Sequence, residues 1–121
     1  MTALDVIAGV GDLLKNPDKL ATGALALTKA GKPCGPHTGS RWCPIGAAYR
    51  IGGVSPNDDS GGSHVFAAIG FMHGAANDLF KMPIERVTDQ LGHDAVMQML
   101  RLAYRRAKAK PTTDEQGRRW R

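Results

Sequence analysis

Arg41-Trp42-Cys43-Pro44-Ile45-Gly46-Ala47-Ala48-Tyr49-Arg50 is the stretch from which the rest of the chain can be read. Pro44 suits the first position of a helix, where its missing N–H is not needed, and Gly52 or Gly53 can end that helix in a left-handed conformation. The pattern predicts a short buried helix over 43–51, with Trp42 at its start. Gly46, Ala47 and Ala48 leave one side without bulk, so that a neighbouring helix can approach closely, while Trp42, Ile45 and Tyr49 supply packing surface on the other sides. The remaining helices are expected to stack on this hub.

Toward the N-terminus, residues 32–41 mix Pro33, Cys34, Gly35, Pro36, His37, Thr38, Gly39 and Ser40, which reads as an ordered loop without regular structure. Before it, Asn16-Pro17-Asp18 combines a capping side chain, a helix-starting Pro and a dipole-favoured acid, predicting a helix from Pro17 to about Ala30 that ends at Gly31. A first helix begins with Thr2 as cap and Asp5 three positions on, and carries Val6, Ile7, Val10, Leu13 and Leu14 at helical spacing. Gly9 and Gly11 weaken that helix by roughly 1 kcal/mol each relative to Ala, so their presence points to close packing.

Toward the C-terminus, 53–62 is the most loop-like segment. Ser63 can cap a mostly buried helix carrying Val65, Phe66, Ile69, Met72 and Ala76, which should stop near Asn77-Asp78 because Asx side chains favour turns. Pro83 starts a short helix that Gly92 breaks, and a final amphipathic helix runs from about Asp94 to Lys110-Pro111.

At 121 residues with 42% hydrophobic content, the chain has room for one core and no second one. The expectation is therefore an all-α fold: a single compact domain of five or six short helices over 1–110, followed by a flexible basic tail over 111–121. The N-terminal segment has neither a secretory apolar core nor a stretch of about 20 apolar residues able to span a bilayer, so no membrane association and a cytoplasmic location are expected. Two cysteines are too few for a disulfide scaffold, although a single Cys34–Cys43 bridge stays open. The net charge of +5 is uneven: beyond residue 100, Arg101, Arg105, Arg106, Lys108, Lys110, Arg118, Arg119 and Arg121 face only Asp114 and Glu115, and the rest is near neutral.

Cys43-Pro44-Ile45-Gly46-Ala47, the later Asn77-Asp78 and the closing amphipathic helix from about His93 together resemble a family of small uncharacterised bacterial and phage proteins, a domain of unknown function with a Cys-x-x-Gly-Ala helix and a later Asn-Asp turn. The resemblance covers most of the chain. It implies an all-helical domain and supplies no chemistry.

Three groups of residues are candidates for function. Cys34, His37 and Cys43 have partial zinc-ligand spacing, with a fourth ligand available among the other histidines, but the same residues also fit a Gly/Pro-shaped loop with one buried thiol. Cys43 at a helix start could alternatively be an activated nucleophile, although a buried cysteine more often serves as a small hydrophobe, and no catalytic residue is assigned. Cys43, His37, His73, Asn77 and Asp78 could line a small-ligand pocket, or the Asx pair could simply bond backbone amides. Lastly, Arg101, Arg105, Arg106 and Lys108 on the final helix, with Arg118, Arg119, Trp120 and Arg121 in the tail, could contact an acidic protein surface or nucleic acid, or form an ordinary solvated face. The expected function is a small non-enzymatic binding or regulatory protein that contacts an acidic partner through these basic residues. Nucleic-acid binding through the same residues and a ligand or metal pocket around Cys43 are the alternatives. No cofactor is expected unless zinc binds, and the sequence does not fix the oligomeric state.

Overall fold

A computed structural model describes residues 1–56 and 62–110. The tail over 111–121 and part of the loop after Pro56 lie outside the described residues. The chain is mostly helical but not all-α. Helix α1 (Ala3–Leu14) leads through a 3₁₀ turn at Pro17–Lys19 into strands β1 (Ala26–Leu27), β2 (Pro33–Cys34) and β3 (Arg41–Trp42). Helices α2 (Pro44–Gly52), α3 (Ser63–Phe80), α4 (Ile84–Arg86) and α5 (His93–Ala109) follow, with a π-helical turn at Val87–Leu91 between the last two. The strands form one antiparallel sheet in the order β2-β1-β3, with Ala26 opposite Cys34 on one side and Trp42 on the other.

That sheet replaces the helix expected over 17–30 and the structureless loop expected over 32–41. Asn16 caps and Pro17 starts as anticipated, but helical structure stops at Lys19 because the following backbone is claimed by distant partners. Ala21 donates to the Trp42 carbonyl at 2.9 Å, the Leu25 carbonyl accepts from Cys43 at 3.1 Å, and Ser40 donates to the Leu27 carbonyl at 2.8 Å. A backbone already bonded to β3 has no donors and acceptors left for an i→i−4 ladder.

The helix at the centre of the sequence pattern forms over Pro44–Gly52. The Cys43 Sγ accepts from the Gly46 amide at 3.4 Å, Pro44 occupies the first turn, and Gly53 closes the helix at φ 75°. Trp42 belongs to β3 instead of the helix, yet it is buried, and its Nε1 donates to the Pro36 carbonyl at 2.7 Å. The small-residue side does admit a close neighbour, but at Gly46 that neighbour is the backbone of the strand segment: a Cβ on Gly46 would overlap the Leu25 carbonyl. Nor is α2 the hub. Helix α1 packs against α2, α3 and α5, whereas the main neighbours of α2 are α1, α3 and β3.

Helix α1 starts with the anticipated capping box, in which Asp5 donates its amide to the Thr2 hydroxyl at 3.2 Å and accepts the Thr2 amide at 3.0 Å. Its Val6, Ile7, Val10 and Leu14 are fully buried. Helix α3 begins without a side-chain cap from Ser63 and runs past Asn77-Asp78 to Phe80, ending at Lys81 with φ 58°. The Asp78 carboxylate reaches across to Arg106 at 2.6 Å, so it links α3 to α5 and does not compete for its own backbone. At the other end of α5, His93 donates from Nε2 to the Leu14 carbonyl at 2.7 Å, tying the start of α5 to the end of α1.

Candidate functional site

The pocket assembled in sequence from His37, Cys43, His73, Asn77 and Asp78 does not come together. His37 donates to the Val54 carbonyl at 2.9 Å, and its own carbonyl accepts from Arg50, whose guanidinium lies 5.6 Å from the Trp42 ring centre. His73 and Asn77 are exposed on α3, the Asn77 carbonyl accepts from the Lys81 amide, and Asp78 pairs with Arg106. Of these five only Cys43 lines the cavity of about 280 Å³ beside α2, and its companions there include Leu25, Ile45, Ile84, Thr88 and Asp89, none of which the sequence had marked as a pocket residue. Asp89 is engaged by the Gly23 amide at 3.1 Å, and the buried Thr88 hydroxyl by the Ile84 carbonyl at 2.9 Å.

Nor do Cys34, His37 and Cys43 form a metal centre. Cys34 and Trp42 pair with opposite sides of Ala26, so Cys34 lies about two strand spacings, roughly 9–10 Å, from the chain entering Cys43. That separation also rules out the Cys34–Cys43 bridge, which needs Cα atoms within about 7 Å, and both thiols are free. Among the described residues no group of three or more His, Cys, Asp or Glu is arranged to hold a metal ion. Burial pushes the Cys43 thiol above its ordinary pKa; hydrogen bonds from the Gly46 and Ile45 amides oppose the shift, and the charges of Asp89 and Glu85 add to it. The thiol caps α2 by accepting the Gly46 amide, and its desolvation works against the thiolate that a nucleophile at a helix start would need.

The basic helix, in contrast, borders a real concavity. A trench of about 550 Å³ runs between α1 and α5, lined on one side by Ile7, Ala8, Gly11, Asp12 and Lys15 and on the other by Met97, Leu100, Arg101, Tyr104 and Arg105. The residues at 7, 8, 11, 12 and 15, and those at 97, 100, 101, 104 and 105, each recur at the spacing of a single helix face. Ile7 and Leu100 are buried and form the floor, while Arg101, Arg105, Lys15 and Asp12 are exposed. Three cations therefore border the trench against one acid.

Gly11 has a part in this shape that differs from the expectation. Gly9 does permit close packing, since a Cβ there would come within 2.5 Å of Ile51 Cγ2 on α2, but a Cβ at Gly11 would meet nothing within 4 Å. Gly11 keeps the trench open.

Of the cations singled out in sequence, Arg101 and Arg105 line the trench, Arg106 is taken by Asp78, and Lys108 is exposed farther along α5. Arg118, Arg119, Trp120 and Arg121 lie outside the described residues. Sequence reasoning missed Lys15, Tyr104, Met97 and the α1 wall. The amphipathic pattern of each helix was visible, but nothing local in it says that the two helices flank one groove. Among the described residues no helix is long and apolar enough to cross a membrane. Compared with known proteins, the chain matches no family model, no curated protein and no solved structure.

Proposed function

We propose that this protein is a non-enzymatic binding or regulatory protein that takes an acidic protein partner on the face shared by α1 and α5, with the basic tail adding charge to the same interaction. One observation carries the reading: two of the cationic residues of α5, Arg101 and Arg105, rim an apolar trench. Arg101 and Arg105 stand over a floor made by Ile7 and Leu100. Cations beside apolar surface can pair with carboxylates that arrive together with apolar side chains, and the partial exclusion of water strengthens each pair. Nucleic acid would use the same cations, but its phosphates gain nothing from an apolar floor and its contacts would be mainly ionic. The cytoplasmic setting and the kinship with small helical bacterial or phage proteins belong to the same proposal.

The test is cross-linking from Lys15 in native lysate, using the full chain and the charge-reversed R101E/R105E double variant. Protein partners that cross-link at Lys15 and are lost on charge reversal support the reading. Partners that survive the reversal, or material that nuclease treatment releases, would refute it.

A further inference from the structure

Resting on that reading, we infer that the segment of the partner seated in the trench is an amphipathic α-helix of about two turns, oriented with its carboxylates toward α5. Four features of the trench lead to this occupant. The first is length. Its walls run from Ile7 to Lys15 and from Met97 to Arg105, eight residue steps each, or about 12 Å at the helical rise. That distance matches about two turns of a third helix, which presents apolar side chains at i, i+3 or i+4, and i+7.

The second feature is the backbone. Both walls are helical, so there is no strand edge to which an extended peptide could add. A helical ligand brings its own satisfied backbone and needs only side-chain contacts. The third is charge. Arg101 and Arg105 are spaced one turn apart on the α5 wall, whereas the α1 wall carries Asp12 and Lys15 and is near neutral. Carboxylates four residues apart on one flank of the incoming helix would face the two guanidiniums, and the opposite orientation would exchange those two cations for Lys15 alone, with Asp12 beside it. The fourth is composition. Arg, Tyr and Met are the residue types over-represented in protein–protein interfaces, and Tyr104 and Met97 join the two arginines here with half-buried side chains still free to be covered.

The probes are two fluorescein-labelled peptides of about 15 residues with identical composition, one with Leu at i, i+3/i+4 and i+7 and Glu along one flank, the other scrambled to destroy the amphipathic order. Fluorescence anisotropy is read with the full chain, with R101E/R105E, and with Gly11→Leu, which projects a side chain into open trench at a helical position where Leu favours folding. The ordered peptide should bind at least about tenfold tighter than the scrambled one, and each variant should lose about tenfold or more of that affinity. Circular dichroism of the bound peptide should show induced helix. Equal binding of both peptides, abolished by R101E/R105E and untouched by Gly11→Leu, would leave the acidic-partner reading standing and overturn the helix inference. If neither peptide binds, or a single-stranded DNA of equal charge outcompetes both, the reading beneath it falls too.

Discussion

Replacing Gly46 by Ala makes the sharpest test of how the strands and α2 fit together. The new methyl would overlap the Leu25 carbonyl, which is main chain and cannot rotate away, and the strand would have to retreat from the helix. Retreat lengthens or breaks the 3.1 Å bond from the Cys43 amide to that carbonyl, beside the buried Trp42. Forced overpacking costs about 1–3 kcal/mol and an orphaned buried amide about 1–3 kcal/mol more, while Ala recovers about 1 kcal/mol of helix propensity, for a net loss of about 1–5 kcal/mol. Gly70 supplies the control. It is exposed within α3 and a Cβ there meets nothing within 4 Å, so the same substitution should gain about 0.5–1 kcal/mol. Urea denaturation followed by circular dichroism reads both. Thermal midpoints should move in opposite directions, by about 4 °C per kcal/mol for a domain of this size. A Gly46→Ala protein as stable as the parent, or two variants shifting with the same sign, would refute the packing of Leu25 on α2.

Two other outcomes follow from the local chemistry. Cys43 is buried and its thiol is pushed upward in pKa, chiefly by desolvation, so folding favours the neutral form: its contribution to stability holds below the ordinary thiol range and fades as pH rises through the folded value. Iodoacetamide at neutral pH should therefore label native Cys43 far more slowly than unfolded Cys43, and mass spectrometry showing equal rates would contradict the burial. Trp42→Phe removes the donor to the Pro36 carbonyl and leaves that buried acceptor without its partner, at a cost of about 1–3 kcal/mol in the denaturant midpoint; an unchanged midpoint would show that the bond carries no weight.

The difference between what could be read and what could not follows the range of the interactions. The start of α1 was legible because Thr2 and Asp5 cap each other three residues apart, and the course of α2 because Pro44 and Gly53 act on their own turns. The extension of α3 to Phe80 was not, since Asn77-Asp78 is a stop signal locally and becomes a helix-to-helix link only once Arg106 is beside it. Residues 20–30 failed for the same reason on a larger scale. Leu20, Ala21, Leu25 and Leu27 suit one face of a helix, and what overrules that pattern is a set of hydrogen bonds to residues 40–43.

The candidate site divides in the same way. The cationic stripe on α5 is a property of its own spacing and was available from the chain alone, as were the Thr2 and Asn16 caps, the Pro44 and Gly53 boundaries of α2 and the near-neutral body. That Arg101 and Arg105 overlook an apolar floor and that Gly11 leaves it open were decided only when α1 packed beside α5, and that Cys43 faces Asp89 and not His37 only when the start of α2 met the turn at Val87–Leu91. Capping and periodicity are set within a few residues and are written in the sequence at that range. A groove is the space left between two helices, and its shape is fixed only by the packing of every element that holds them apart.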